Sequence, residues 1–129
     1  MNRLIVTLLS VVCATGPCPT SATAADQPET VMVTFRAKPG AEAELERVIA
    51  SHWKTANELH LLAAAPHVTV RGTEEGNKTY FIEVFTWRDA SIPDFAPPAI
   101  QKIWAQMNAL VESRGGNAGL RFEEVFVVD

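Results

Sequence analysis

From Lys78 to Asp89 the chain alternates as a strand does, yet it is apolar on both faces. Tyr80, Ile82 and Val84 point one way; Phe81, Phe85 and Trp87 point the other. A strand with one solvated face is polar on that face. This one therefore needs cover on both sides.

The rest of the pattern supplies one cover. Val31 to Lys38 alternates, with Val31, Val33, Phe35 and Ala37 on one side, and Pro39-Gly40 ends this first strand. Ala41 to Leu62 carries Leu45, Val48, Ile49, Trp53, Ala56 and Leu59 at three- and four-residue steps, one apolar helical stripe. Glu42, Glu44 and Glu46 sit near its start, where the helix dipole favours negative charge. His67 to Arg71 is a short strand, and Gly72 to Asn77 reads as a hairpin turn into the long strand. A proline-rich entry then leads into a second helix from Pro98 to Arg114, striped by Ile100, Ile103, Trp104, Met107 and Leu110 and stopped by Gly115-Gly116. Leu120 to Val128 is the last strand, with Leu120, Phe122, Phe126 and Val128 on one face.

The order β-α-β-β-α-β predicts an α+β, ferredoxin-like plait, an antiparallel sheet with two helices on one face. The other face is left bare and apolar, and such patches mark interfaces. A second copy of the chain is the expected cover, giving a homodimer through the helix-free face.

Composition narrows the partners. Arg3, an apolar run from Leu4 to Ala14 and the small-x-small Ala22-Thr23-Ala24 predict a signal peptide over residues 1–24 and an exported, periplasmic or secreted protein. The run is shorter than the roughly 20 residues a membrane span needs. A polar leader, 25–30, precedes the single domain at 31–129. Cys13 and Cys18 both fall in the removed segment, so thiol catalysis, disulfides and thiolate metal sites are excluded from the mature chain. Losing Arg3 leaves 10 basic residues against 15 acidic ones, a net charge of −5. No basic stripe suits nucleic acid, and no basic amphipathic helix suits a membrane surface.

The plait with one bare face, and the strand end Phe85-Thr-Trp-Arg-Asp89, resemble the antibiotic biosynthesis monooxygenase family of dimeric α+β barrels. The resemblance spans residues 31–129. It implies two sheets joined into one barrel with helices outside, and chemistry of the kind seen in cofactor-independent oxygenases of anthrones and quinols or in heme-degrading enzymes. Heme-degrading members carry an iron-ligating histidine on the second helix; Pro97 to Leu110 contains none. Many members also have a histidine leading into that helix, where Ile92 to Ala99 offers Asp94 as its only ionisable side chain. No cofactor and no metal are expected.

A small-molecule site in this architecture lies between helices and sheet, apolar with a few convergent polar groups. His52 falls on the apolar stripe of the first helix, where an imidazole could take a proton from a phenol or quinol; the alternative is a core histidine bonded to a strand carbonyl. Glu83 sits between Phe81 and Phe85. A carboxylate in such surroundings can act as acid or base, or it pairs with Arg36, Arg71 or Arg121. Trp53, Trp87 and Trp104 are candidate walls for a flat aromatic ligand, or plain core. His67 opens the second strand near the mouth of the fold, His60 is placed on the exposed side of the helix end, and Asp94 is placed as a cap of the second helix. Three functions fit: a cofactor-independent monooxygenase with His52 and Glu83 as its catalytic pair, a non-catalytic protein that binds a small aromatic ligand, or a structural dimer whose large residues leave no cavity.

Overall fold

A computed structural model describes residues 27–128; the expected signal peptide and residues 25 and 26 of the leader lie outside the described residues, and the leader's Glu29 and Thr30 already belong to the first strand. The elements are β1 (Glu29–Arg36), α1 (Glu42–Glu58), β2 (Val68–Glu74), β3 (Lys78–Trp87), a short 3-10 helix (Ile92–Phe95), α2 (Pro98–Leu110) and β4 (Leu120–Glu124). The sheet order is β2-β3-β1-β4, antiparallel at every junction. This is the ferredoxin-like plait that the order of elements predicted.

The two-faced β3 organises the layers. Its register against β1 sets Val31 beside Phe85, Val33 beside Glu83 and Phe35 beside Phe81. These six side chains share one face of the sheet and are buried. Leu45, Ile49 and Ala56 of α1 and Ile100, Ile103 and Met107 of α2 pack over them. Full burial of one such Leu, Ile or Phe contributes about 1.5–3 kcal/mol. The opposite face presents Met32, Ile82 and Val84 half-buried, with Val68 51% and Val70 48% exposed on β2. Among the described residues no helix or strand covers this apolar face.

Several element ends differ from the sequence expectation, each through tertiary pairing. The first helix stops at Glu58 instead of Leu62. His60 takes a positive φ of 57°, which turns the chain so that Leu61 enters the core and Leu62 bridges Trp87. The second helix stops at Leu110 instead of Arg114. Val111 becomes extended and pairs with Ala37, and the Glu112 N–H donates to the Arg36 carbonyl. Gly115-Gly116, both at positive φ, therefore close a tight turn between Arg114 and Asn117 and do not end a helix. Strand β2 continues through Gly72 to Glu74 because the Tyr80 ring lies across that glycine, where a Cβ would meet ring atoms at 2.4 Å. Strand β4 ends at Glu124, and Phe126 and Val128 run on exposed beyond it.

Arg114 pins the end of the fold opposite the tryptophans. Its guanidinium donates to Glu112, Glu74 and the carbonyls of Thr79 and Ala37. It thereby joins β1, β2, β3 and the segment after α2. Charge-assisted bonds of this type are about twice as strong as neutral ones.

Candidate functional site

The α1 stripe carries His52 directly beneath Ile49, so the ring points at β3 and is 3% exposed. Strand alternation aims Glu83, Phe85 and Trp87 back at it from the sheet. The imidazole meets Phe85 edge-on at 5.6 Å between ring centroids, Trp87 edge-on at 5.9 Å, and Trp104 of α2 at 6.3 Å. The three elements thus build an aromatic box around one histidine.

One hydrogen bond fixes the state of that ring. The Trp104 indole Nε1–H donates to His52 Nε2 over 3.0 Å. Indole is a donor only, so Nε2 must be the bare nitrogen, and the neutral ring carries its proton on Nδ1. Nδ1 in turn faces Glu83 Oε1 at 3.8 Å. The expected strand carbonyl is replaced as partner by an indole. This also argues against a metal at His52, since a neutral imidazole has a single lone pair and Trp104 occupies it.

Glu83 is 0% exposed, and neither carboxylate oxygen has a hydrogen-bond partner among the described residues. The expected arginine pairing is absent: Arg36 lies on Glu74 at 3.2 Å, Arg71 on Glu46 at 3.9 Å and Arg121 on Glu123 at 2.8 Å. Arg36 and Arg121 belong to the bare face of the sheet by register, whereas Glu83 belongs to the helix side. Its nearest cationic candidates are His52 and, at 3.9 Å, His67 Nε2. The His67 ring is held at the surface by stacking on Trp53, 4.6 Å between centroids and 12° between planes, with Thr69 Oγ1 3.3 Å from its Nε2.

A groove of about 590 Å³ opens on the other side of Trp104. Trp87 and Trp104 form its inner wall, Leu120 and Phe122 of β4 its side, and Pro93 with Ala105 its edge. His52 is not on its surface; Trp104 stands between them. His52 packs against Phe85, Trp87 and Trp104, and the groove lies beside that packing. Carboxylates rim it: Glu29, Asp94, Glu123 and Glu124. Burial, then Glu124 and Asp94, push the Glu29 carboxyl above its ordinary range. Asp94 does not cap α2, whose N-cap is Pro97 with no side-chain bond; it lies on the groove instead.

The structure thus brings His52, Glu83, Trp87, Trp104, Trp53 and His67 into one chain of contacts and leaves the exposed His60 outside it. The groove contribution of Glu29 and β4 was missed. Its signal was the alternation that sets Leu120 and Phe122 on the helix side, facing the small Ala105. Among the described residues, no group of three His, Cys, Asp or Glu side chains is arranged to hold a metal.

No protein-family model matches the sequence, and neither does any curated protein. Solved structures do match. A mutant of SnoaB, a cofactor-independent oxygenase from Streptomyces nogalater, is 17% identical with a TM-score of 0.59, covering 80% of this chain and 95% of that one. A structure described as an antibiotic biosynthesis monooxygenase is 14% identical with a TM-score of 0.57, covering 78% and 98%. A protein of Shewanella oneidensis is 20% identical with a TM-score of 0.53, covering 78% and 90%. The chain has the fold of antibiotic biosynthesis monooxygenase-type proteins, as its strand-end motif suggested.

Burial lowers the His67 pKa below its ordinary value; the Glu83 charge opposes this and His52 adds to it. The stability that a neutral His67 contributes is thus complete above its unfolded pKa of about 6.5 and is lost as pH falls through the lower folded value. Glu83→Gln removes the opposing charge and should push the His67 titration lower still. NMR titration of the His67 ring checks this; an upward shift in Glu83→Gln would show that the carboxylate does not act on His67.

Proposed function

We propose that this chain is an exported, cofactor-independent monooxygenase of the antibiotic biosynthesis type, acting on a small, flat phenolic or quinol-type compound. One observation carries the reading: the only lone pair of a buried imidazole is directed at a tryptophan that is also a wall of the groove. A phenolic O–H in the groove is the same kind of donor as the indole N–H. If Trp104 yields, the substrate hydroxyl takes its place on His52 Nε2 and gives up its proton there. The resulting imidazolium directs Nδ1–H at Glu83, and the carboxylate stabilises it. The deprotonated ring is then electron-rich enough to react with oxygen. One oxygen atom enters the substrate; the other leaves as water with two substrate hydrogens. Trp87 and Trp104 are the proposed substrate-binding side chains; Trp53 and His67, expected there from the sequence, do not line the groove.

A second reading has its own support. His52 is screened from the groove, so the same walls could hold a small aromatic ligand without turnover.

The reading also includes a homodimer. The exposed Val68 and Val70, continuous with Ile82, Val84 and Met32, form the apolar face that a second sheet would cover.

Oxygen consumption by the purified protein over a panel of anthrones and hydroquinones, with chelator present, tests the enzyme. The proposal expects uptake that falls by about 10²-fold or more in His52→Ala. Trp104→Phe keeps the wall and removes the competing donor. It should tighten phenol binding about fivefold, the worth of one net hydrogen bond near 1 kcal/mol. Tryptophan fluorescence that shifts on ligand addition without any oxygen uptake would favour the binding protein. Light scattering after gel filtration addresses the dimer: twice the single-chain mass is expected for the wild type, and the single-chain mass for Val70→Glu. A monomeric wild type at micromolar concentration would remove the dimer from the account.

A further inference from the structure

The buried carboxylate has a neighbour that the proposed reaction does not use. Glu83 Oε1 stands 3.8 Å from His52 Nδ1 and 3.9 Å from His67 Nε2, so one oxygen lies between two imidazoles. His52 is buried; the His67 side chain is 26% exposed. The three groups come from different elements, α1, β3 and the start of β2, yet they form a line from interior to solvent. A carboxylate enclosed in this way, without a hydrogen-bond partner, is costly unless it serves something.

We infer that His52, Glu83 and His67 form a proton relay that connects the buried imidazole to solvent without passing through the groove. The inference rests on the reading of His52 as a base only for its purpose; the path itself stands on geometry. The balance is simple. A proton arriving on Nε2 makes His52 an imidazolium, which gives its Nδ1 proton to Glu83 Oε1. Glu83 passes that proton to His67 Nε2, and His67 releases one to water. One proton enters and one leaves, and the His52 ring is left neutral with its proton on Nε2. The Nδ1–H form is restored when a proton re-enters through His67 and Glu83 to Nδ1 while the Nε2 proton returns to the groove side, where the departing water takes it. Each gap closes to hydrogen-bond length with a carboxylate displacement of about 1 Å.

Two features favour this route over the groove. The groove side of His52 is closed by Trp104, whose N–H occupies the lone pair. A ligand in the groove would close it further. On the other side, Trp53 stacking fixes the His67 ring with its Nε2 turned inward, within reach of Glu83 and Thr69. The lowered pKa of His67 suits a group that takes up a proton and releases it again rather than storing it.

The test reads proton movement, not turnover. In the free protein, transient opening of Trp104 lets water protonate Nε2, and in protein labelled with 15N-histidine NMR then measures the exchange of the His52 Nδ1 proton with solvent. His67→Phe keeps a ring to stack on Trp53 and removes the acceptor. It should slow that exchange roughly tenfold or more, as loss of a positioned acid-base group does. Glu83→Gln should slow it similarly, and His67→Gln provides a second surface variant should the Phe ring pack differently. Exchange at the wild-type rate in both His67 variants would overturn the relay. Because no substrate is present, that result would leave the oxygenase reading standing, and absence of oxygen uptake would leave the relay standing.

Discussion

The hydrogen bond from the Trp104 indole to His52 Nε2 decides what the buried site can do. Without it the imidazole tautomer would be open, and so would the choice between base, metal ligand and core filler. With it, Nε2 is bare, Nδ1 carries the proton, and that proton faces the Glu83 carboxylate. The same bond ties α2 to α1 across the top of the sheet, so it is also part of how the two helices sit. A neutral hydrogen bond adds only about 1 kcal/mol net, small enough for a bound donor to replace it. That modest strength is what the proposed displacement of Trp104 by a phenol requires.

The position of this bond depends on the double-sided strand. Strand β3 sends Glu83, Phe85 and Trp87 toward the helices while Ile82 and Val84 support the bare face. Substituting either set would disturb a different layer. Trp87 packs edge-on against both His52 and Trp104 and so carries the sheet's geometry into the helix contact. At the opposite end, Arg114 gathers the strand ends by bonds to two carboxylates and two backbone carbonyls. The aromatic box at one end and the guanidinium at the other hold the same sheet by different chemistry.

Much of this was legible in the sequence because it follows from periodicity. Alternation placed Glu83 and Trp87 on one face, and helical spacing placed His52 toward them. Partners were less legible. The residues around Glu83 suggested arginines, but register sends Arg36 and Arg121 to the other face and leaves Arg71 with Glu46. The helix ends were misjudged where Leu61 and Val111 leave helical structure to satisfy backbone groups on neighbouring strands. Such pairings join residues far apart in the chain and leave no local signature. The groove was hidden for the same reason: it exists where β4 meets a small residue, Ala105, and no single segment announces it.

The most direct test of the account is the tautomer of His52 in the free protein, read by long-range 15N–1H NMR together with the Trp104 indole proton. The account predicts a proton on Nδ1, a bare Nε2, and an indole proton that is hydrogen-bonded and slow to exchange. A proton on Nε2, with a freely exchanging Trp104 indole, would contradict it and remove the basis for both the proposed base and its displacement by a phenol.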